Sequence, residues 1–233
     1  MSKGIFIVLE GADGAGTTTQ GQNLVNYLRE HHDLNGEVVW TREPSDGPIG
    51  AFIRTLLKSE SEPWDWKEMC RLFVADRFHH IRTEIESALK AGKIVICDRY
   101  YGSTLVYQSS DPENFKFCTQ RMRALFKEMR GHNFTTSDAE IMDGFHSILE
   151  PDLWLYLGIN NQSVLKKRRT SRNQDLEMYE KSELQQKICL LYDFWYKFLP
   201  GNKQYIDASK GMVEVFEECR SKVCKFLKIS DTR

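Results

Sequence analysis

Short unbroken apolar runs alternate along this chain with stretches in which apolar residues return every third or fourth position. Ile5 to Leu9, Ile94 to Cys97 and Leu153 to Ile159 have the length and continuity of strands covered on both faces. Glu37 to Thr41 and Gln204 to Asp207 are two further short strands. Between them the period becomes helical. Thr18 to Arg29 follows a glycine-rich turn, and residues 66–91 space Leu72, Ala75, Phe78, Ile81, Ile85, Ala88 and Leu89 for one long helix. Strands alternating with helices predict an α/β fold: a parallel five-stranded sheet with helices on both faces.

Two stretches interrupt the alternation. Residues 109–149 join a helix-like piece, about 112–130, to a polar run from Gly131 to Asp138. Residues 166–182 are too polar for a core and read as a mobile flap, or lid, between two helices. Neither is large enough for a second domain, so residues 1–233 read as one.

Composition narrows the classes. A formal net charge of -1 gives no reason to expect a nucleic-acid or membrane partner. No apolar stretch approaches the roughly 20 residues that span a bilayer. Met1 to Gly4 leads straight into the first strand, so no cleavable leader is expected and a cytoplasmic protein is the default. Cys70, Cys97, Cys118, Cys189, Cys219 and Cys224 form no CxxC pair, and their segments look helical or extended. Reduced thiols fit better than a disulfide framework or a zinc site.

The chemistry concentrates at strand ends. Gly11, Ala12, Asp13, Gly14, Ala15, Gly16, Thr17, Thr18 and Thr19 lie between a strand and a helix and match the phosphate-binding pattern G-x-x-x-x-G-K-[ST] in all but one position. Such a loop aims backbone N–H groups and a helix N-terminus at phosphate oxygens, which makes the fold P-loop NTPase-type. Thr18 stands where the Mg²⁺-binding hydroxyl belongs, but Thr17 replaces the lysine. Alone, the segment is also compatible with a plain glycine-rich strand-to-helix turn, the lesser reading. Arg42, in Thr41-Arg42-Glu43-Pro44, and Asp98-Arg99, closing the second and third strands, change that balance. They fall at the carboxyl edge where open α/β sheets bind ligands. Arginine forks suit phosphate, and a carboxylate there, Asp98, can hold Mg²⁺ directly or through water.

Phe6 to Gly16, Thr41 to Pro44, Phe73 to Arg77 and Asp98 to Gln108, followed in order by Pro151 to Leu157 and Glu177 to Glu180, closely resemble the thymidylate kinase family. The resemblance spans about residues 4–108 and 151–228. It implies ATP and Mg²⁺ as cofactors, dTMP as acceptor and a homodimer packed through helices such as 66–91. By the same resemblance Phe73 is the platform for the acceptor's base and Arg77 bonds a pyrimidine carbonyl. Arg42 and Arg99 clamp the acceptor phosphate, and Asp13 faces the acceptor's sugar and phosphate. Ser103 and Thr104 lie near the base. Tyr107 crowds a 2′-hydroxyl, with Gln108 ordering the site beside it. Arg168, Arg169 and Arg172 would swing from the lid over the donor phosphates, since Asp13 to Ala15 contains no arginine. Tyr179 closes from the acceptor side, and Asp207-Ala208-Ser209 walls the adenine pocket.

The chain departs from the family pattern at Thr17, at Ser45-Asp46, where glycines are usual, and in the length of 109–149. Ser45-Asp46 is expected to alter the acceptor's phosphate pocket. Three readings stay open: a dTMP kinase, a kinase for another pyrimidine deoxynucleotide, and an inactive nucleotide-binding relative.

Overall fold

The computed structural model describes residues 4–31, 34, 37–59, 64–108, 149–159, 162–170, 182–198 and 201–231. In chain order these form β1 (Ile5–Gly11), α1 (Thr17–His31), β2 (Val38–Arg42), α2 (Pro48–Lys58), α3 (Trp66–His80), a π-helical turn (Ile81–Ile85), α4 (Glu86–Lys90), β3 (Ile94–Asp98) and α5 (Tyr101–Tyr107). They continue with β4 (Leu153–Gly158), α6 (Gln162–Thr170), α7 (Ser182–Phe198), β5 (Lys203–Asp207) and α8 (Met212–Leu227). The five strands make one parallel sheet ordered β2-β3-β1-β4-β5, the arrangement that the alternating pattern predicts.

Alternation along β1 explains why both faces are covered. Ile7 and Leu9 enter a core with Leu24 and Leu28 of α1, Ile188 and Tyr192 of α7, and Val215 and Val223 of α8. Phe6 and Val8 enter a second core with Cys70 and Val74 of α3, Ile81 and Ile85 of the π turn, and Tyr101 of α5. Register then fixes the edge that matters. Leu9 pairs with Asp98, and Arg42 pairs with Asp98 from the other side. The ends of β1, β2 and β3 therefore open into one crevice, flanking the point where the chain reverses its direction of winding.

Three details differ from the sequence expectations. α2 had no predicted counterpart, although Pro48 at its first turn and the buried Ile53, Leu56 and Leu57 are helix signals. The long helix over 66–91 is present, but a π turn inserts an extra residue into its ladder directly after His80. α6 continues through Lys166 to Thr170, inside the stretch read as flap, because lysine and arginine favour a helix and suit its C-terminal dipole. Residues 109–148 and 171–181, including Arg172 and Tyr179, lie outside the described residues, as does the side chain of Arg169. Among the described residues no helix is long and apolar enough to cross a membrane. The cysteines among them are free and buried.

Candidate active site

The phosphate loop leaves β1 at Gly11, turns through an Ala15 N–H to Ala12 carbonyl bond of 2.9 Å, and enters α1 at Thr17. Gly14 and Gly16 take φ of 92° and 96°, the left-handed region that favours glycine. The N-terminus of α1 thus faces the loop, the arrangement that receives phosphate. Thr17, in the lysine position, is only 4% exposed, with its methyl turned toward Gly11 beneath the loop. Thr18 and Thr19 begin α1 beside it.

The Thr18 hydroxyl donates to Asp98 Oδ2. The other Asp98 oxygen is buried and accepts no hydrogen bond among the described residues. A buried carboxylate oxygen left unpaired beside a phosphate loop is costly unless a ligand completes it. Among the described residues no three His, Cys, Asp or Glu side chains could enclose a metal. Mg²⁺ suits such a poor protein set, since it keeps waters and takes phosphate oxygens alongside one or two protein ligands. Asp98 and Thr18 fit that ion.

Arg99 is the hub of the crevice. Its φ of 70° is unusual for a residue with a Cβ. Its guanidinium donates to Gly11 O at 2.8 Å, to Asp13 Oδ1 at 2.7 Å, and to Ser103 Oγ and Tyr192 OH at 3.2 Å each. It also lies 5.4 Å from the Tyr107 ring centre. The second Asp13 oxygen accepts from Gln185 of α7 at 2.8 Å. Beneath them sits Glu10, which accepts the N–H groups of Tyr100 and Ser103 at 2.9 and 3.0 Å. Its other oxygen accepts the Ser103 and Tyr192 hydroxyls at 2.7 and 3.0 Å. Burial pushes the Glu10 carboxyl above its ordinary range, against the Ser103 bond and the Arg99 charge.

From this hub a cleft of about 570 Å³ runs toward α3, lined by Asp13, Glu43, Pro44, Leu57, Phe73, Arg77, Arg99, Tyr100, Ser103, Thr104, Tyr107 and Gln108. Phe73 and Arg77 share one face of α3. The buried Arg77 donates to Glu43 Oε2 through Nε and Nη2, at 2.8 and 2.6 Å. Its Nη2 also reaches Tyr100 O and Thr104 Oγ1, at 3.1 and 3.0 Å.

Two of the anticipated arginines are engaged by groups of the protein itself. Arg42 does not line the cleft; it pairs with Asp46 at 2.7 Å, both side chains well exposed at 45% and 72%. Asp46 is also approached by Arg54, at 3.4 Å. Ser45 turns inward, its N–H and hydroxyl donating to Asp76 at 2.7 and 2.6 Å. Gly50 lets α2 cross this turn, since a Cβ there would meet the Ser45 carbonyl oxygen at 2.0 Å. The unusual Ser45-Asp46 pair thus locks the turn and engages Arg42 without entering the cleft. Arg168 reaches across to the loop after β5, donating to Ala208 O and Lys210 O at 2.8 Å each.

Sequence reasoning assigned no role to Glu10, Glu43, His80, Gln185 or Tyr192. A charge closing the apolar run of β1 marks Glu10, and the Arg42-Glu43-Pro44 motif contains Glu43. Gln185 and Tyr192 carry no local signal; only the packing of α7 over the loop brings them in.

A glycine-turned loop at the switch point of a parallel sheet, with a carboxylate, a hydroxyl and an arginine-walled cleft beside it, defines a P-loop nucleotide-binding protein. Comparison with known proteins narrows the class. The thymidylate kinase family model matches residues 9–127. The thymidylate kinase of Desulfotalea psychrophila is 33% identical over 190 residues, 82% of this chain and 81% of that protein. That of Clostridium novyi is 32% identical over 225 residues, 94% and 98% of the two chains. That of Mesoplasma florum is 31% identical over 232 residues, 97% of each. The chain belongs to the thymidylate kinase family.

Proposed function

We propose that this chain transfers the γ-phosphoryl group of ATP to dTMP, giving ADP and dTDP. The observation that carries the reading is the cleft, which joins an aromatic and arginine wall, Phe73 and Arg77, to the phosphate loop through Asp13 and Arg99. Family membership supplies the nucleotide chemistry that such a cleft serves.

The base lies against Phe73 with a carbonyl toward Arg77, and the deoxyribose passes Tyr107. The acceptor phosphate meets Arg99, whose guanidinium is already held in place by Gly11, Asp13 and Ser103. A phosphate monoester with a second pKa of about 6 is largely dianionic at neutral pH, so its oxygen attacks without a general base. Attack in line on the γ-phosphorus breaks the bond to the β–γ bridging oxygen, and ADP departs. The chain's task is positioning and charge neutralisation. The loop N–H groups hold the donor phosphates, while Thr18 and Asp98 would hold Mg²⁺. That ion, when bound, neutralises charge on the donor phosphates. The loop after β5, tied to α6 by Arg168, walls the adenine, and lid arginines approach the transferring group.

The test is ADP release across dTMP, dUMP, CMP and dGMP. dTMP is expected to be best, with dUMP behind by roughly 10- to 200-fold, since a methyl in an apolar pocket is worth about 1–3 kcal/mol. A higher kcat/KM for dGMP or CMP would overturn the assignment. The same resemblance supports a homodimer packed through the α3 side, and sedimentation at micromolar concentration checks it.

A further inference from the structure

His80 lies one turn beyond Arg77 on α3 and is 1% exposed. Its Nε2 meets Thr41 Oγ1 at 2.6 Å and Glu84 Oε2 at 3.5 Å, and its Nδ1 meets Glu43 Oε1 at 3.3 Å. The two Glu43 oxygens therefore have separate tasks. Oε1 faces His80, and Oε2 takes both N–H groups of Arg77. Arg77 in turn touches Tyr100 and Thr104 in the cleft wall. A continuous chain of polar contacts thus runs from Glu84, 43% exposed at the surface, to the base-binding end of the cleft. Burial lowers the affinity of His80 for its proton, but the bonds and charges of Glu43 and Glu84 outweigh that and raise its pKa to about 9. As a cation it donates from both nitrogens; as neutral imidazole it can donate from one only.

We propose that His80 is a positioning residue for acceptor recognition, holding Glu43 in the orientation that fixes Arg77 in the wall of the base pocket. The inference rests on the dTMP kinase reading and names a residue that acts through two others. Removing His80 leaves a buried carboxylate oxygen without its charged donor, so Glu43 and Arg77 lose their shared register. Acceptor binding suffers, while the phosphate loop and the donor site, which His80 does not touch, do not.

The experiment measures kcat, KM for dTMP and KM for ATP from pH 6.5 to 9.5, with dTMP affinity by calorimetry. His80→Ala is expected to raise KM for dTMP roughly 10- to 100-fold, the scale of a lost charged hydrogen bond. KM for ATP and kcat should stay within about threefold. His80→Gln, which restores an amide donor, should recover part of the loss. In the wild type KM for dTMP should climb near pH 9. Glu84→Gln, at a half-exposed position that tolerates the change, should move that climb to lower pH. If His80→Ala fails to fold, the Glu84→Gln profile carries the test alone. An unchanged KM for dTMP in folded His80→Ala overturns the inference. So does an equal rise in both KM values, or an unmoved climb in Glu84→Gln. A wild-type protein that neither binds nor phosphorylates dTMP overturns the functional reading and this inference with it.

Discussion

Raising the pH from 6.5 to 9 should cost this fold about 3 kcal/mol through His80 alone. The folded imidazole keeps its proton to about pH 9, against 6.5 for an ordinary histidine. Below pH 6.5 both folded and unfolded chains carry the proton, and the pairing with Glu43 and Glu84 contributes in full. Between 6.5 and about 9 the folded chain binds the extra proton, so stability falls with pH by about 1.4 kcal/mol per unit. The span gives about 3 kcal/mol, a large share of the roughly 5–15 kcal/mol that holds a domain together. For a chain of this size it corresponds to a Tm lower by about 6–12 °C. Glu150 acts with the same sign at lower pH. Burial raises its carboxyl to about 7, with the Tyr101 hydroxyl opposing, so its share is lost as pH rises from about 4.5 through 7. Asp46 and Glu84 are held below the usual carboxylate range by their bonds to Arg42 and His80. Their share is lost only on acidification, outside this window.

Urea unfolding at half-unit steps from pH 5 to 9 measures the effect. The wild type should lose stability throughout, and His80→Gln should become nearly flat above pH 7 while keeping the Glu150 decline below it. Glu84→Gln should show a smaller loss than wild type. A flat wild-type profile between pH 7 and 9 would refute the reasoning, as would an equal decline in His80→Gln.

Two further outcomes follow from the loop. Arg99→Ala should lower kcat/KM for dTMP by at least about 100-fold, because it strips a charged donor from the acceptor phosphate and frees Asp13; unchanged kinetics in a folded variant would remove Arg99 from the site. In single-turnover assays, alanine at the critical lid arginine among Arg168, Arg169 and Arg172 should cost on the order of 10²–10³ in rate, and Thr17→Lys should restore part of it. Strictly additive losses would show that loop and lid do not share the charge.

Legibility in the sequence followed range of interaction. Continuous apolar runs gave β1, β3 and β4 to within about two residues, because a strand buried on both faces writes its environment into adjacent positions. The shorter β2 and β5, only partly buried, were still placed to within about a residue. Gly14, Gly16, Asp98 and Arg99 were readable because they follow strand ends, where topology brings them together whatever the details. The wiring was not. Arg42 pairs with Asp46 instead of lining the cleft, a choice between two nearby partners that no pattern encodes. Arg168 spans 40 and 42 positions to Ala208 and Lys210 in the loop after β5. Glu10 joins α5 and α7 through Ser103 and Tyr192. Each depends on side chains from elements distant in sequence, and period or spacing says nothing of those.

The missing loop lysine is best understood through where the crevice keeps its positive charge. With Thr17 turned inward, that position contributes packing rather than a cation. Arg99 already touches the loop itself, at Gly11 O and Asp13, but in the proposed reading it serves the acceptor phosphate and leaves the donor's oxygens to other cations. The guanidinium of Arg168 is engaged by the carbonyls of Ala208 and Lys210 in the loop after β5. We propose that those bonds fix Arg168 at the base of the lid, leaving Arg169 and Arg172 to carry charge to the donor phosphates. In this proposed division of labour the loop would supply N–H groups and the Thr18–Asp98 site, and the cation that a P-loop lysine holds permanently would come from the lid. On that proposal charge neutralisation would be tied to closure, and closure would exclude the water that competes for the phosphoryl group.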